Sequence, residues 1–215
     1  RTRDEVLDDL PERLENHFFV EITGPQRRAY EEHRRQALSI LGQGDPPPER
    51  IEAFRASVLK MRLIANALTL HDRTIPPEHV EKTSPKLREL AHLIEDEAVK
   101  QARKVLIFSE WKEMLHLVEP ILQQAPIEYT LLTGDVPTER REARVHRFVH
   151  GDCPILLATD GGALGLNLQA ATVVVNLDPP WSPSTLEQRI SRAHRIGQRR
   201  PVHVINLVAK DTIEE

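Results

Sequence analysis

What the chain lacks narrows its chemistry first. It has one cysteine, Cys153, in 215 residues. Internal disulfides and cysteine-based zinc sites are excluded, which points to an intracellular setting. Aromatic residues make up 4% of the chain against 40% hydrophobic residues overall, so aliphatic side chains must fill the core. No apolar run approaches the ~18 residues of a membrane span, and no signal peptide opens the chain. No glycine is followed by lysine. A Gly-x-x-x-x-Gly-Lys-Ser/Thr loop that cradles nucleotide phosphates is therefore absent. Asp96-Glu97-Ala98-Val99 imitates an acidic magnesium motif in letters. It follows Leu93-Ile94 within an amphipathic stretch and reads as a solvated helix face. The ten histidines show no metal-ligand spacing.

The net charge of −4 does not announce a nucleic-acid binder. Charge is unevenly distributed, however. Asp4 to Glu15 holds six acids and one arginine, whereas Trp181 to His203 holds five arginines and one acid, Glu187. The length suits one large domain, or one domain with an appendage. Arg1-Thr2-Arg3-Asp4 and Lys210-Asp211-Thr212-Ile213-Glu214-Glu215 both read as mid-element, so a piece of a longer protein is expected.

The first hundred residues read as helical. Residues 1–24 are acidic, with a short apolar run at Phe18–Ile22. Helices are expected over Pro25–Leu41, Glu49–Leu70 and Pro85–Ala102. Gly42-Gln43-Gly44-Asp45-Pro46-Pro47-Pro48 and the proline-bearing His71–Ser84 separate them. The pattern changes at Lys104. Strands are expected at Lys104–Phe108, Glu128–Leu132, Ile155–Ala158, Thr172–Leu177 and Val202–Val208. Helices are expected at Trp111–Gln124, Pro137–His150 and Pro183–Arg195, with Pro120 kinking or splitting the first. Such alternation implies an α/β fold with a parallel sheet between helices. Val105-Leu106-Ile107-Phe108 and Val173-Val174-Val175 lack polar alternation, as strands buried on both faces should.

In such sheets ligands gather beyond the carboxyl ends of the strands. Those ends carry Ser109, Thr133-Gly134-Asp135, Thr159-Asp160-Gly161-Gly162 and Asp178. Hydroxyls and glycine N–H groups in successive loops can meet phosphates, although glycine and threonine also simply end strands. The stretch Gln188 to Gln198 is the most informative. If it continues as a helix, Gln188, Arg192 and Arg195 share one face, and Leu186, Ile190 and Ala193 supply the buried face. Crowded like charges on a helix are unfavourable by roughly 0.2–0.5 kcal/mol per pair. The face reads either as a solvated basic surface or as a site for an anion such as a polyphosphate.

Taken in order, five blocks resemble the second RecA-like lobe of superfamily II helicases, and more narrowly the Swi/Snf family of ATPases. They are Lys104–Ser109, then Leu132–Pro137 with Arg141 and Phe148, then Leu156–Leu168, then Asp178-Pro179-Pro180-Trp181-Ser182-Pro183. The fifth is the Gln188–Gln198 segment, ending in His194-Arg195-Ile196-Gly197-Gln198. Val6-Leu7, Asp9-Leu10-Pro11, Gln26–Tyr30 and Leu63–Asn66 match more loosely. Gly134-Asp135-Val136 stands where the family has Gly-Ser-Thr. Gly161-Gly162-Ala163 stands for Ala-Gly-Gly, after Asp160 where a lysine is common, and Trp181-Ser182-Pro183 stands for Trp-Asn-Pro.

The resemblance implies a RecA-like fold preceded by a helical segment. Residues 1–24 would join two lobes, 25–84 would form a family-specific helical segment and linker, 85–209 the second lobe, and 210–215 the start of an extension. It implies Arg192 and Arg195 as arginine fingers for ATP. Gln188, Gly165 and Asn167 would lie near the nucleotide. Ser109, Thr133, Gly134 and Thr159 would touch the backbone of double-stranded DNA, and Trp181 and Asp178 would couple the two sites. ATP and Mg²⁺ would be held mainly by an upstream lobe, without which this segment would be inactive. The setting would be the nucleoid in a bacterium or the nucleus in a eukaryote.

Overall fold

A computed structural model describes residues 10–41, 47–76 and 84–215. The expected turn at Gly42–Pro46, most of the connector before Ser84, and Val6, Leu7 and Asp9 lie outside the described residues. The chain forms two compact units, residues 1–18 with 90–207 and residues 19–89 with 208–215.

The larger unit is built on six strands: β1 (Arg13–Val20), β2 (Val105–Phe108), β3 (Tyr129–Leu132), β4 (Ile155–Ala158), β5 (Val173–Asn176) and β6 (Val202–Ala209). They form one sheet in the order β1-β6-β5-β2-β4-β3. All run parallel, as the strand–helix alternation predicts. Val105 pairs with Ile155 on one side and Val173 on the other, which places β2 centrally. Every residue of β2, β4 and β5 is buried, which explains their unbroken apolar runs. One strand, β1, is absent from the sequence expectation. It lies at the sheet edge with most of its side chains exposed, so neither an apolar run nor clean alternation marks it.

The helices here are α5 (Lys112–Gln124), α6 (Thr138–His150) and α7 (Pro183–Ile190). Pro120 does not split α5, which runs through it. Phe148 of α6 and Ile190 of α7 join Leu106, Phe108, Leu156 and Val174 in one core. Lys104 closes the C-terminal end of α6, with Nζ donating to the carbonyls of Phe148 and Gly151. A cation there satisfies orphan carbonyls and the negative end of the helix dipole.

The smaller unit packs α1 (Gly24–Leu41) against α2 (Pro48–Asn66), followed by the one-turn α3 (Leu68–His71). Gln26 is buried and bridges the start of α1 to the end of α2. Its Oε1 accepts from the Thr23 N–H at 2.9 Å, and its Nε2 donates to the Ile64 carbonyl at 2.8 Å. The stretch expected as helix over Pro85–Ala102 is α4 (Pro85–Ile94) followed by a π-helical segment, Glu95–Lys100. Asp96, largely exposed, pairs with Lys100, and Glu97, mostly buried, pairs with Arg103 just beyond the segment.

Candidate nucleotide and nucleic-acid site

The loops beyond β2, β3, β4 and β5 all open at the carboxyl edge of the sheet. Ser109 follows β2 and is buried. Its hydroxyl donates to Asp178 Oδ2 at 2.5 Å and accepts from the Trp111 N–H at 3.0 Å. Asp178 Oδ1 in turn accepts from the Glu110 N–H at 2.8 Å. Ser109 and Asp178 thus hold the loops after β2 and β5 together, and the serine proton is already committed.

Thr133, after β3, is also buried and donates its hydroxyl to Asp135 Oδ1. The carboxyl of Asp135 is lowered to about 2, first by its bond to Lys112 and then by Thr133. Gly134 is open, with nothing near an added Cβ. Thr159, after β4, accepts from the Gly162 N–H at 3.2 Å. A Cβ on Gly162 would lie 2.0 Å from the Leu132 carbonyl oxygen. Only glycine lets this loop lie against the end of β3.

The basic segment departs from its expected shape. α7 ends at Ile190, and the chain continues through turns rather than as helix to Arg195. Bonds tighten to three-residue spacing at Arg192 and Ala193, a common way for a helix to end. The Arg192 carbonyl then accepts from the Leu168 N–H at 2.9 Å instead of from a downstream amide. Gln169 Nε2 donates to the Ile196 carbonyl, and Gly197 reverses the chain at φ +97°. Gln188 therefore lies on α7, while Arg192 and Arg195 lie on a turn, and the shared helical face is corrected. The buried side of the segment stands as expected, with Ile190 and Ala193 in the core and Leu186 against it.

That turn is pinned from below by Gln198. Its buried Nε2 donates to the carbonyls of Gln169 at 2.9 Å, Ala171 at 3.1 Å and Ala193 at 3.1 Å. Its Oε1 accepts from the N–H groups of Arg199 and Arg200. Above the clamp, Arg192 is half-buried and Arg195 exposed, and neither guanidinium has a partner among the described residues. Gly165, at φ +75°, and Asn167 line an open groove of about 700 Å³ with Arg141, Val145 and Val149 of α6. Gln188, Arg192 and Arg195 are not part of that groove's lining. Trp181 is 60% exposed, on the loop after β5.

Arg189 is the residue that sequence reasoning missed. Counted there only as one of five arginines and given no role, it is 2% exposed and belongs to the interior. Its guanidinium stacks over Phe108 at 5.5 Å and binds Asp160 through two bonds, of 2.6 and 2.9 Å. Burial alone would lower its pKa, but Asp160 and Asp178 outweigh burial and hold it above the usual arginine value. The one available signal was an arginine next to Ile190, on the apolar side of the helix. Gln198 likewise gave no sign of its structural task beyond its place in the family signature.

A family model described as the helicase conserved C-terminal domain matches residues 85–197, just over half of the chain. The chain belongs to the helicase C-terminal domain family. Within that family it is a Swi/Snf-type second lobe. It is 29% identical over its full length to an uncharacterized ATP-dependent helicase of Mycoplasma pneumoniae, covering 20% of that protein. It is equally 29% identical, again over its full length, to the human SWI/SNF-related matrix-associated actin-dependent regulator of chromatin subfamily A member 1, covering 21% of it. The lobe therefore spans about a fifth of the length of these relatives. Among solved structures it resembles the Sulfolobus solfataricus SWI2/SNF2 ATPase core in complex with double-stranded DNA. The TM-score is 0.78 at 23% identity, over 98% of this chain and 44% of that one.

Among the described residues no group of three or more His, Cys, Asp or Glu could hold a metal ion. Among the same residues no helix is long and apolar enough to cross a membrane.

Proposed function

We propose that this lobe is the C-terminal half of an ATP-driven motor that moves along double-stranded DNA. The observation that carries the proposal is the pair Arg192 and Arg195, two guanidiniums on a clamped turn with no partner among the described residues. Phosphoryl transfer needs positioned positive charge more than covalent chemistry. Arginine supplies it as a planar fork that stays charged. Arg195 is the more exposed of the two and is assigned as the principal finger, reaching ATP bound on an upstream lobe. Gln188, Gly165 and Asn167 border the nucleotide. Mg²⁺ would be held on that upstream lobe.

Thr133, Gly134 and Thr159 face the DNA backbone at the carboxyl edge of the sheet. Ser109 contributes by fixing the loop after β2, since its hydroxyl is engaged with Asp178. Backbone contacts carry no sequence information, as a translocating motor requires. Trp181 and Asp178, on the loop between β5 and the helix that carries Gln188, link the two sets of residues. The solved relative bound to double-stranded DNA supports this choice of nucleic acid. The test is ATP turnover of the intact protein with duplex DNA, with single-stranded RNA and with neither. Stimulation by duplex DNA is expected. Stimulation by RNA alone would overturn the DNA assignment and make this an RNA helicase lobe. No turnover under any condition would make it a binding module. Residues 1–215 by themselves are expected to show none.

A further inference from the structure

Arg189 has no place among the fingers or the backbone contacts, yet it is the most heavily engaged side chain near them. Its head is shared by the ends of β4 and β5, and through Asp178 it reaches the loop after β2. Asp160, after β4, takes both the Nε and Nη2 protons. The Asp178 carbonyl, after β5, accepts from Nη1 at 2.9 Å, and Asn176 Oδ1 at the end of β5 accepts at 3.3 Å. The Asp178 carboxylate stands 3.6 Å from Nη2 and also receives the Ser109 hydroxyl, which brings in the loop after β2. The other end of the residue belongs to the basic segment. The Arg189 carbonyl accepts from the N–H of Arg192 at 3.2 Å, so it opens the turn on which both fingers sit.

One member of this network reaches solvent. Arg189 and Asp178 side chains are each 1% exposed, whereas that of Asp160 is 35% exposed. Asp160 follows Thr159 directly and precedes the open Gly161. A phosphate docking on that loop sets its charge beside the Asp160 carboxylate. Arg189 cannot give up its proton and cannot sit buried without acceptors. It can only redistribute its bonds between Asp160 and Asp178.

We infer that Arg189 is a positioning residue coupling a backbone phosphate at the loop after β4 to the placement of Arg192 and Arg195. The inference rests on the proposed DNA-stimulated ATPase. When phosphate charge repels Asp160, the Arg189 head shifts toward Asp178. Its carbonyl moves with it, and the finger-bearing turn follows.

The test is the ratio of ATP turnover with saturating duplex DNA to turnover without DNA, in the intact protein. Wild type is compared with Arg189→Gln, Asp160→Asn and the double variant. Each single variant is expected to lower the ratio at least about fivefold, the lower range of typical coupling between sites. The double variant should fall no further than the single ones, since paired residues are non-additive. A purely structural role lowers the folded fraction, and so both rates alike, leaving the ratio unchanged. Asp160→Asn alters a partly exposed side chain and carries the test if Arg189→Gln does not fold. An unchanged ratio in Asp160→Asn, or additive losses in the double variant, would overturn the coupling while leaving the DNA-stimulated ATPase intact. A wild-type protein that duplex DNA does not stimulate would remove the proposed function itself, and this inference with it.

Discussion

The side-chain amide of Gln198 donates to the main-chain carbonyl of Gln169, and the side chain of Gln169 donates back to the Ile196 carbonyl. Together these bonds tie the end of one helicase block to the turn of another. Removing the Gln198 amide leaves the Ala171 and Ala193 carbonyls without their donor. A buried group left unsatisfied is destabilising by about 1–3 kcal/mol. Gln198→Ala should lower stability by that amount in urea denaturation. It should also slow ATP turnover of the intact protein more than the loss of folded protein explains.

The smaller unit carries a different kind of cross-link. Lys86 Nζ meets Glu214 Oε2 at 2.6 Å and Asn66 Oδ1 at 2.9 Å, with both charged side chains buried. Breaking a buried ion pair by removing one partner destabilises by about 3–5 kcal/mol, because the other charge remains in the interior. Lys86→Met should therefore be strongly destabilising in equilibrium unfolding. Lys86→Met with Glu214→Leu should recover much of the loss. A double variant as unstable as the single one would show that the remaining contacts of these residues, rather than the charge pair, hold the unit.

His71 sets a pH dependence in the same unit. Burial lowers its pKa below the ordinary 6.5, and the edge-on ring of His33, 5.0 Å away, acts in the same direction. The unfolded chain thus binds the proton more readily than the folded one. Stability contributed by neutral His71 is fully present above pH ~6.5 and is lost as pH falls toward its folded pKa. The denaturation midpoint should rise with pH up to about 6.5, and His71→Gln should flatten the rise. An NMR titration placing the His71 midpoint at or above 6.5 would contradict this.

Much of the fold was legible because its strands are buried on both faces. Val105–Phe108, Ile155–Ala158 and Val173–Asn176 leave no room for polar alternation, and that signal is local. β1 was not legible, since its pairing with β6 is set at long range and its side chains face solvent. Helical periodicity carried α7 too far. Ile190 and Ala193 remain in the core through a turn that imitates the helical repeat. The site was legible as motifs, but not in its wiring. Sequence singled out Arg192 and Arg195 and left Arg189 as one more charge in the same run. Only packing separates the buried Arg189, bound to Asp160, from the two that have no partner among the described residues.

The central claim is that Arg195 acts on ATP across the cleft between two lobes. The most direct measurement is the maximal ATP turnover of the intact protein with saturating duplex DNA, for wild type and Arg195→Ala, alongside ATP affinity and thermal stability. Arg195 is exposed and has no partner among the described residues, so its loss should change stability by no more than about 0.5 kcal/mol. Turnover should fall by roughly 10³-fold or more, as for other arginine fingers, with ATP still bound. Turnover within a few-fold of wild type would contradict the assignment and leave the basic turn a solvated surface.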